Sequence, residues 1–155
     1  PAEDSLAGST IGLTSVGAIE LGQAPADLTA AAGGTPVAAS GAACNETNLQ
    51  GDPYSPLFTF RDGQLVVVQV FTPGLLTRSG IGIGANEAEV IAAYGEQIQG
   101  RQDPVDSTRK LLEFVPSDEA DQIFRLVFVV EQDRVAAIRI GAAEIVATEP
   151  GCPGA

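Results

Sequence analysis

A chain of 155 residues with an apolar fraction of 45% has room for a packed interior, as one medium domain or two small repeats, and is not a disordered polymer. Twenty acidic against eight basic residues, with a net charge of −12 and a pI near 4.1, argue against nucleic-acid binding and disfavour docking on anionic lipid. There is no histidine, so the usual neutral-pH base of a nucleophilic triad and the usual zinc ligand are both missing.

The chain opens Pro1-Ala2-Glu3-Asp4-Ser5 without an initiator methionine, which reads as a processed product whose targeting segment is gone. Residues 1–16 read as a flexible lead-in, ending in a weak extended segment from Thr10 to Val16. From Gly17 to Gly33 the pattern is a short extended lead, a helix and a glycine stop. A loop rich in small residues covers Gly34 to Ala43, and Asn45 to Thr47 spells an N-x-T sequon. Gly51 to Pro56 reads as a turn region. Phe58–Phe60 and Leu65–Phe71 then form a predicted hairpin around Asp62-Gly63.

Gly80 to Gly95 restates the first helical stretch with stronger signals. Asn86 and Glu89 have the spacing of a capping box, and Glu87 adds negative charge to the first turn. Val90, Ala93 and Tyr94 fall at i, i+3 and i+4 and predict one buried stripe, which Gly95 ends. The two copies keep a constant offset of 62 residues, Gly22 to Gly84 and Gly33 to Gly95. After a charged loop from Gly100 to Lys110 comes a predicted strand, Leu111 to Val115. A second hairpin follows, Ile123–Val130 and Val135–Ile140, offset by 70 residues from the first (Phe58 to Phe128, Val68 to Ile138).

These elements predict an α+β fold of two tandem repeats, residues 17–79 and 80–145, each a short helix packed on an antiparallel β-meander. Strand alternation places Phe124, Leu126, Phe128 and Val130 with Phe58 and Phe60 on the covered face, continued by Val66, Val68, Val70, Ala136, Ile138 and Ile140. The opposite face carries Thr59, Val67, Gln69 and Phe71 in one half and Glu113, Arg125 and Arg139 in the other. It is expected to be open. Cys44 and Cys152 pair in an oxidising compartment, pinning residues 146–155 as a tail and stabilising the fold by about 4–5 kcal/mol at most. The rival reading is two buried thiols in a cytosolic protein.

Most chemical motifs fail on spacing. Gly80-x-Gly82-x-x-Ala85, with Asp103 downstream, fits a loose dinucleotide fingerprint, but the sister copy has Glu20 where Gly82 stands. Asp118-Glu119-Ala120-Asp121 has no accompanying phosphate-binding loop. Residues 117–121 offer oxygen ligands for at most a weak calcium site, not at EF-hand spacing. No pair of carboxylates is singled out for glycoside chemistry. No catalytic, cofactor or metal residue is therefore assigned, and the chain reads as not an enzyme.

The doubled Gly-x-Ile-x-[Leu/Ile]-Gly, the short helix closing in Ala-x-Gly and the antiparallel meander resemble the β-lactamase inhibitory protein family. The layout is also similar to small secreted and envelope lipoproteins of bacteria, over Gly17–Gly33, Phe58–Phe71, Gly80–Gly95 and Leu111–Ile140. The resemblance implies helices on one side of a sheet and a protein partner on the other. The expected function is a secreted or envelope-associated binding module, an accessory subunit of a membrane complex, with Thr59, Gln69, Phe71, Glu113, Arg125 and Arg139 contacting the partner. The alternative is an inhibitor of a secreted hydrolase of the β-lactamase type. No apolar run is of membrane-spanning length, no nucleic acid or cofactor is expected, and a lipid anchor ahead of residue 1 is compatible with the reading.

Overall fold

A computed structural model describes residues 9–17, 19–24, 26–27, 44–48, 56–103 and 107–146. Seven antiparallel strands form the main sheet: β4 (Cys44–Asn48), β5 (Leu57–Arg61), β6 (Gln64–Val70), β8 (Ile98–Gln102), β9 (Arg109–Phe114), β10 (Phe124–Glu131) and β11 (Arg134–Ala142). Their order is β4-β5-β6-β11-β10-β9-β8. Four two-residue strands, β1 (Thr10–Ile11), β2 (Ser15–Val16), β3 (Ile19–Glu20) and β7 (Leu76–Thr77), make a second sheet in the order β3-β2-β1-β7. Helix α1 spans Glu87–Tyr94 and the single turn α2 spans Ala143–Val146.

Both hairpins form where turn chemistry and alternation predict them. Their turns, Asp62-Gly63 and Gln132-Asp133, hold positive φ at both central residues (52° and 78°, 50° and 63°), the backbone twist that suits a two-residue hairpin loop. Both hairpins also carry a register shift at equivalent places, between Thr59 and Phe60 and between Val129 and Val130. The extra residues opposite these shifts are Val66 and Ala136, which corrects their placement on the core face. Leu65 and Val135 fill the core instead, and Val66 packs on the other side of the sheet.

The two hairpins then pair with each other. β6 and β11 run antiparallel with Val68 opposite Ile140, Gln69 opposite Arg139 and Val70 opposite Ile138. Each of these residues faces a counterpart from the other hairpin, so the junction has approximate two-fold symmetry. Gly141, opposite Val67, makes the close approach possible. A Cβ there would lie 2.6 Å from the Val66 carbonyl oxygen.

This arrangement overturns the α+β expectation of two tandem repeats, each a helix on its own meander. The chain is mostly β, one sheet runs through both halves, and α1 is the only helix longer than one turn among the described residues. The repetition seen is that of the hairpin. Pairing satisfies the edges of β6 and β11, which separate repeats would leave exposed, and merges two apolar faces into one. Of the expected first helix only Ala26 and Asp27 fall within the described residues, both helical; residues 28–33 lie outside them. Of the expected lead-in, residues 1–8 lie outside the described residues; in the extended segment that follows, Ile11 and Val16 are almost fully buried, and Gly17 sits in the tight turn between β2 and β3.

The core lies between the main sheet and what covers one face of it. Phe58, Phe60, Val68, Val70, Leu112, Leu126, Phe128, Val130, Ile138 and Ile140 pack against Val90 of α1 and Ile11, Val16, Ile19, Leu75 and Ile81 of the smaller sheet and its loops. The α1 cap follows its sequence signature: Asn86 Oδ1 accepts from the Glu89 N–H at 2.9 Å, and Glu89 Oε1 accepts from the Asn86 N–H at 3.2 Å. The stripe of α1 is narrower than expected. Val90 is buried, Tyr94 half-buried and Ala93 exposed.

The turn strain gives a direct test. Gln132 and Asp133 hold a left-handed backbone that costs a non-glycine residue about 1–2 kcal/mol. Asp133→Gly is expected to stabilise by about 0.5–1 kcal/mol net of glycine's chain entropy, raising Tm by about 2–4 °C in a thermal melt. Gly63→Ala in the equivalent turn is expected to lower it.

Candidate functional site

The second face of the main sheet is where the sequence placed the partner contact. Its centre is a second apolar cluster, Val67, Leu111, Val127, Val129 and Ala137, closed by Val146 of α2. The single turn α2 follows β11 directly and lies against β10 and β11. Thr59, Gln69 and Arg139 sit at 0%, 6% and 7% exposure, which corrects the expectation of an open face. Their polarity suggested exposure. The contrary signal was the run Leu126–Val130, apolar at every position and so suited to burial on both sides.

Arg139 is accommodated by specific partners. Its Nε donates to Gln69 Oε1 at 3.2 Å and its Nη1 to the Val146 carbonyl at 3.4 Å. Burial lowers the guanidinium pKa from its ordinary value, the nearby Asp103 carboxylate opposes this, and Arg109 adds to the lowering. Gln69 and Arg139 are the two residues that face each other at the hairpin junction, so this bond marks the near-symmetric centre of the sheet.

Toward β8 the same face turns polar and opens. Glu113 on β9 takes Arg125 Nε at 3.0 Å and Arg101 Nε at 3.7 Å, one from each neighbouring strand. Arg109 Nε meets Glu131 Oε1 at 2.8 Å. On the other side of the sheet Lys110 Nζ meets Glu87 Oε2 at 2.7 Å. Arg125 also donates to the Gln122 and Phe124 carbonyls, which hold its side chain down along the sheet. Of the six sequence-predicted contact residues, Glu113 and Arg125 come together here. Phe71, 46% exposed, stands apart just beyond the end of β6. Arg101, Arg109 and Lys110 were not singled out from the sequence, where they read only as part of a charged loop.

A recess of about 500 Å³ opens on the opposite side of the molecule, between the smaller sheet, the end of α1 and the starts of β10 and the 3₁₀ turn Glu119–Asp121. The glycine-rich lead to α1 beside it serves packing. A Cβ on Gly82 would lie 2.6 Å from Leu76 Cδ2 and 3.2 Å from the Leu75 carbonyl oxygen, so close contact with protein atoms accounts for this glycine. Asp118 caps the 3₁₀ turn by accepting from the Ala120 N–H at 3.0 Å. Among the described residues no group of three His, Cys, Asp or Glu side chains is placed to hold a metal ion, at 117–121 or elsewhere. Cys44 opens β4 and is not a free thiol; its expected partner, Cys152, lies outside the described residues.

No family model matches the chain, and no curated protein matches it. Among solved structures it is similar to an extracellular protein containing an SCP domain from Bacillus anthracis str. Ames, with 12% identity and a TM-score of 0.47. The match covers 80% of this chain and 44% of that protein, so the chain spans less than half of its length.

Burial separates two arginines that look alike in sequence. Arg139→Ala leaves the Gln69 and Val146 oxygens without their donor in a closed site and is expected to cost about 2–4 kcal/mol in urea unfolding. Arg101→Ala, whose side chain is 44% exposed, is expected to cost less than about 1 kcal/mol.

Proposed function

We propose that this chain is a non-enzymatic protein-binding module of the extracytoplasmic space, which engages an extended, acidic segment of a partner along strand β8. The observation that carries the reading is the placement of charge. Arg101, Arg109 and Arg125, three of the eight basic side chains of a strongly acidic protein, gather on one face of β8, β9 and β10, where two carboxylates, Glu113 and Glu131, meet them. Such a patch attracts an acidic segment electrostatically, against the repulsion of the remaining surface.

Strand β8 supplies the other half of the argument. It ends the main sheet, and no strand among the described residues pairs with its outer edge. From Gln99 to Gln102 its residues are exposed, and Gly100 adds no side chain. An extended peptide adding to such an edge gains main-chain hydrogen bonds, with neighbouring side chains reading its charge. The location outside the cytoplasm is supported by Cys44, which is not a free thiol. No helix among the described residues is long and apolar enough to cross a membrane.

Titration with extended peptides of alternating Glu and Val, followed by NMR, tests the reading. Salt-sensitive shifts confined to Ile98–Gln102 and the facing residues of β9 are expected. The double variant Arg101→Glu, Arg125→Glu is expected to weaken binding about tenfold or more while the fold is retained. Shifts elsewhere, or equal affinity for a matching Lys-Val peptide, would overturn it.

A further inference from the structure

The recess beside α1 has no part in the β8 reading, and its chemistry points to a ligand of a different kind. Part of its lining is apolar: Tyr94 and Phe114 stand tilted at 5.1 Å between ring centres, with Ile11 and Leu126 beside them, both almost fully buried, while Thr14, Ser15, Ser79 and Gln97 line the rest. The Tyr94 hydroxyl is engaged away from any ligand, donating to Thr77 Oγ1 at 2.7 Å, while that same oxygen accepts the Ile81 N–H at 3.2 Å. What Tyr94 offers the recess is therefore its ring. A volume of about 500 Å³ lies in the range of small-ligand sites, roughly 300–1,000 Å³.

Arg78 lines this recess. It follows Thr77 directly, is exposed, and passes Gly12, where a Cβ would lie 3.9 Å from Arg78 Nη2. Among the described residues Arg78 has no hydrogen bond or ion pair. Arg101, Arg109, Lys110 and Arg125 meet carboxylates, Arg134 donates to the Gly84 carbonyl, Arg139 donates to Gln69 and Val146, and Arg61 is engaged as well. A protein with twenty acids and eight bases has a carboxylate to spare for every cation. An arginine left without one, lining a recess of mixed apolar and polar side chains, is placed for a carboxylate that comes from outside. The guanidinium fork suits a carboxylate in two-pronged fashion. Asp121 lines the same recess and is the one carboxylate among the described residues that does so.

We infer that the recess binds a short apolar peptide with free ends, its terminal carboxylate on Arg78, its side chains over Tyr94 and Phe114, and its ammonium toward Asp121. The same terminal carboxylate occurs on a free short peptide and at the end of a protein chain. The ammonium requirement separates the two sources.

Calorimetry with the dipeptide Leu-Phe, its C-terminal amide and its N-acetyl form tests this on the full chain. Leu-Phe is expected to bind, and the amide to bind about 10- to 100-fold more weakly, the loss of one charged two-pronged hydrogen bond. Arg78→Gln is expected to weaken Leu-Phe by the same factor and to leave the amide unchanged, with an unaltered Tm because the side chain is exposed. N-acetylation and Asp121→Asn are each expected to weaken binding and not to add to one another. If acetylation has no effect while amidation does, the free-peptide assignment is overturned in favour of a protein C-terminus. Equal affinity for peptide and amide, or no binding at all, overturns the site. Neither result touches β8, whose peptides are separate probes.

Discussion

Pairing between β6 and β11 is the contact on which the rest of the molecule depends. Each hairpin alone would expose one strand edge and one apolar face, and an isolated hairpin is marginal in water. Joined through Val68–Ile140 and Val70–Ile138, the two hairpins present a single continuous apolar face that α1 and the smaller sheet cover. The junction tolerates little variation. Gly141 approaches the Val66 carbonyl too closely for any side chain, and Gln69 must meet Arg139 because both are closed off from water.

That junction also determines what is left at the surface. With both faces of the central strands buried, polar side chains near the middle serve the interior, and charge is displaced toward β8, β9 and β10. Glu113 there is shared by two arginines from flanking strands, so opposite charges alternate across the sheet. The result is an ion-paired end of the sheet, where Arg101, Arg109 and Arg125 meet Glu113 and Glu131, while the far edge is the polar strand β4.

The smaller sheet has a different role. Its strand β7 pairs with β1 in parallel, drawing the start of the described chain over the core beside α1. This closure carries Arg78 to the rim of the recess and Thr77 beneath Tyr94. A two-residue strand contributes little by itself; Ile11, Val16 and Ile19, all almost fully buried, hold the layer in place.

The capping box of α1, the hairpin turns, the repeated spacing of the hairpins and the surplus of acid could all be read from the chain by itself, because each depends on residues a few positions apart or on composition alone. The tertiary structure decided everything that required distant segments to meet. Two-residue strands have no alternation to read, so the second sheet showed in the sequence only as the weak extended segment from Thr10 to Val16. β4, Cys-Asn-Glu-Thr-Asn, has only Thr47 among the residues that favour strands and exists because β5 offers it an edge. Arg139 looked like a surface charge, since no spacing rule states that a turn of helix directly after β11 will fold back over it. Alternation divides a strand into two faces, but what covers each face is settled only by which other parts of the chain arrive there.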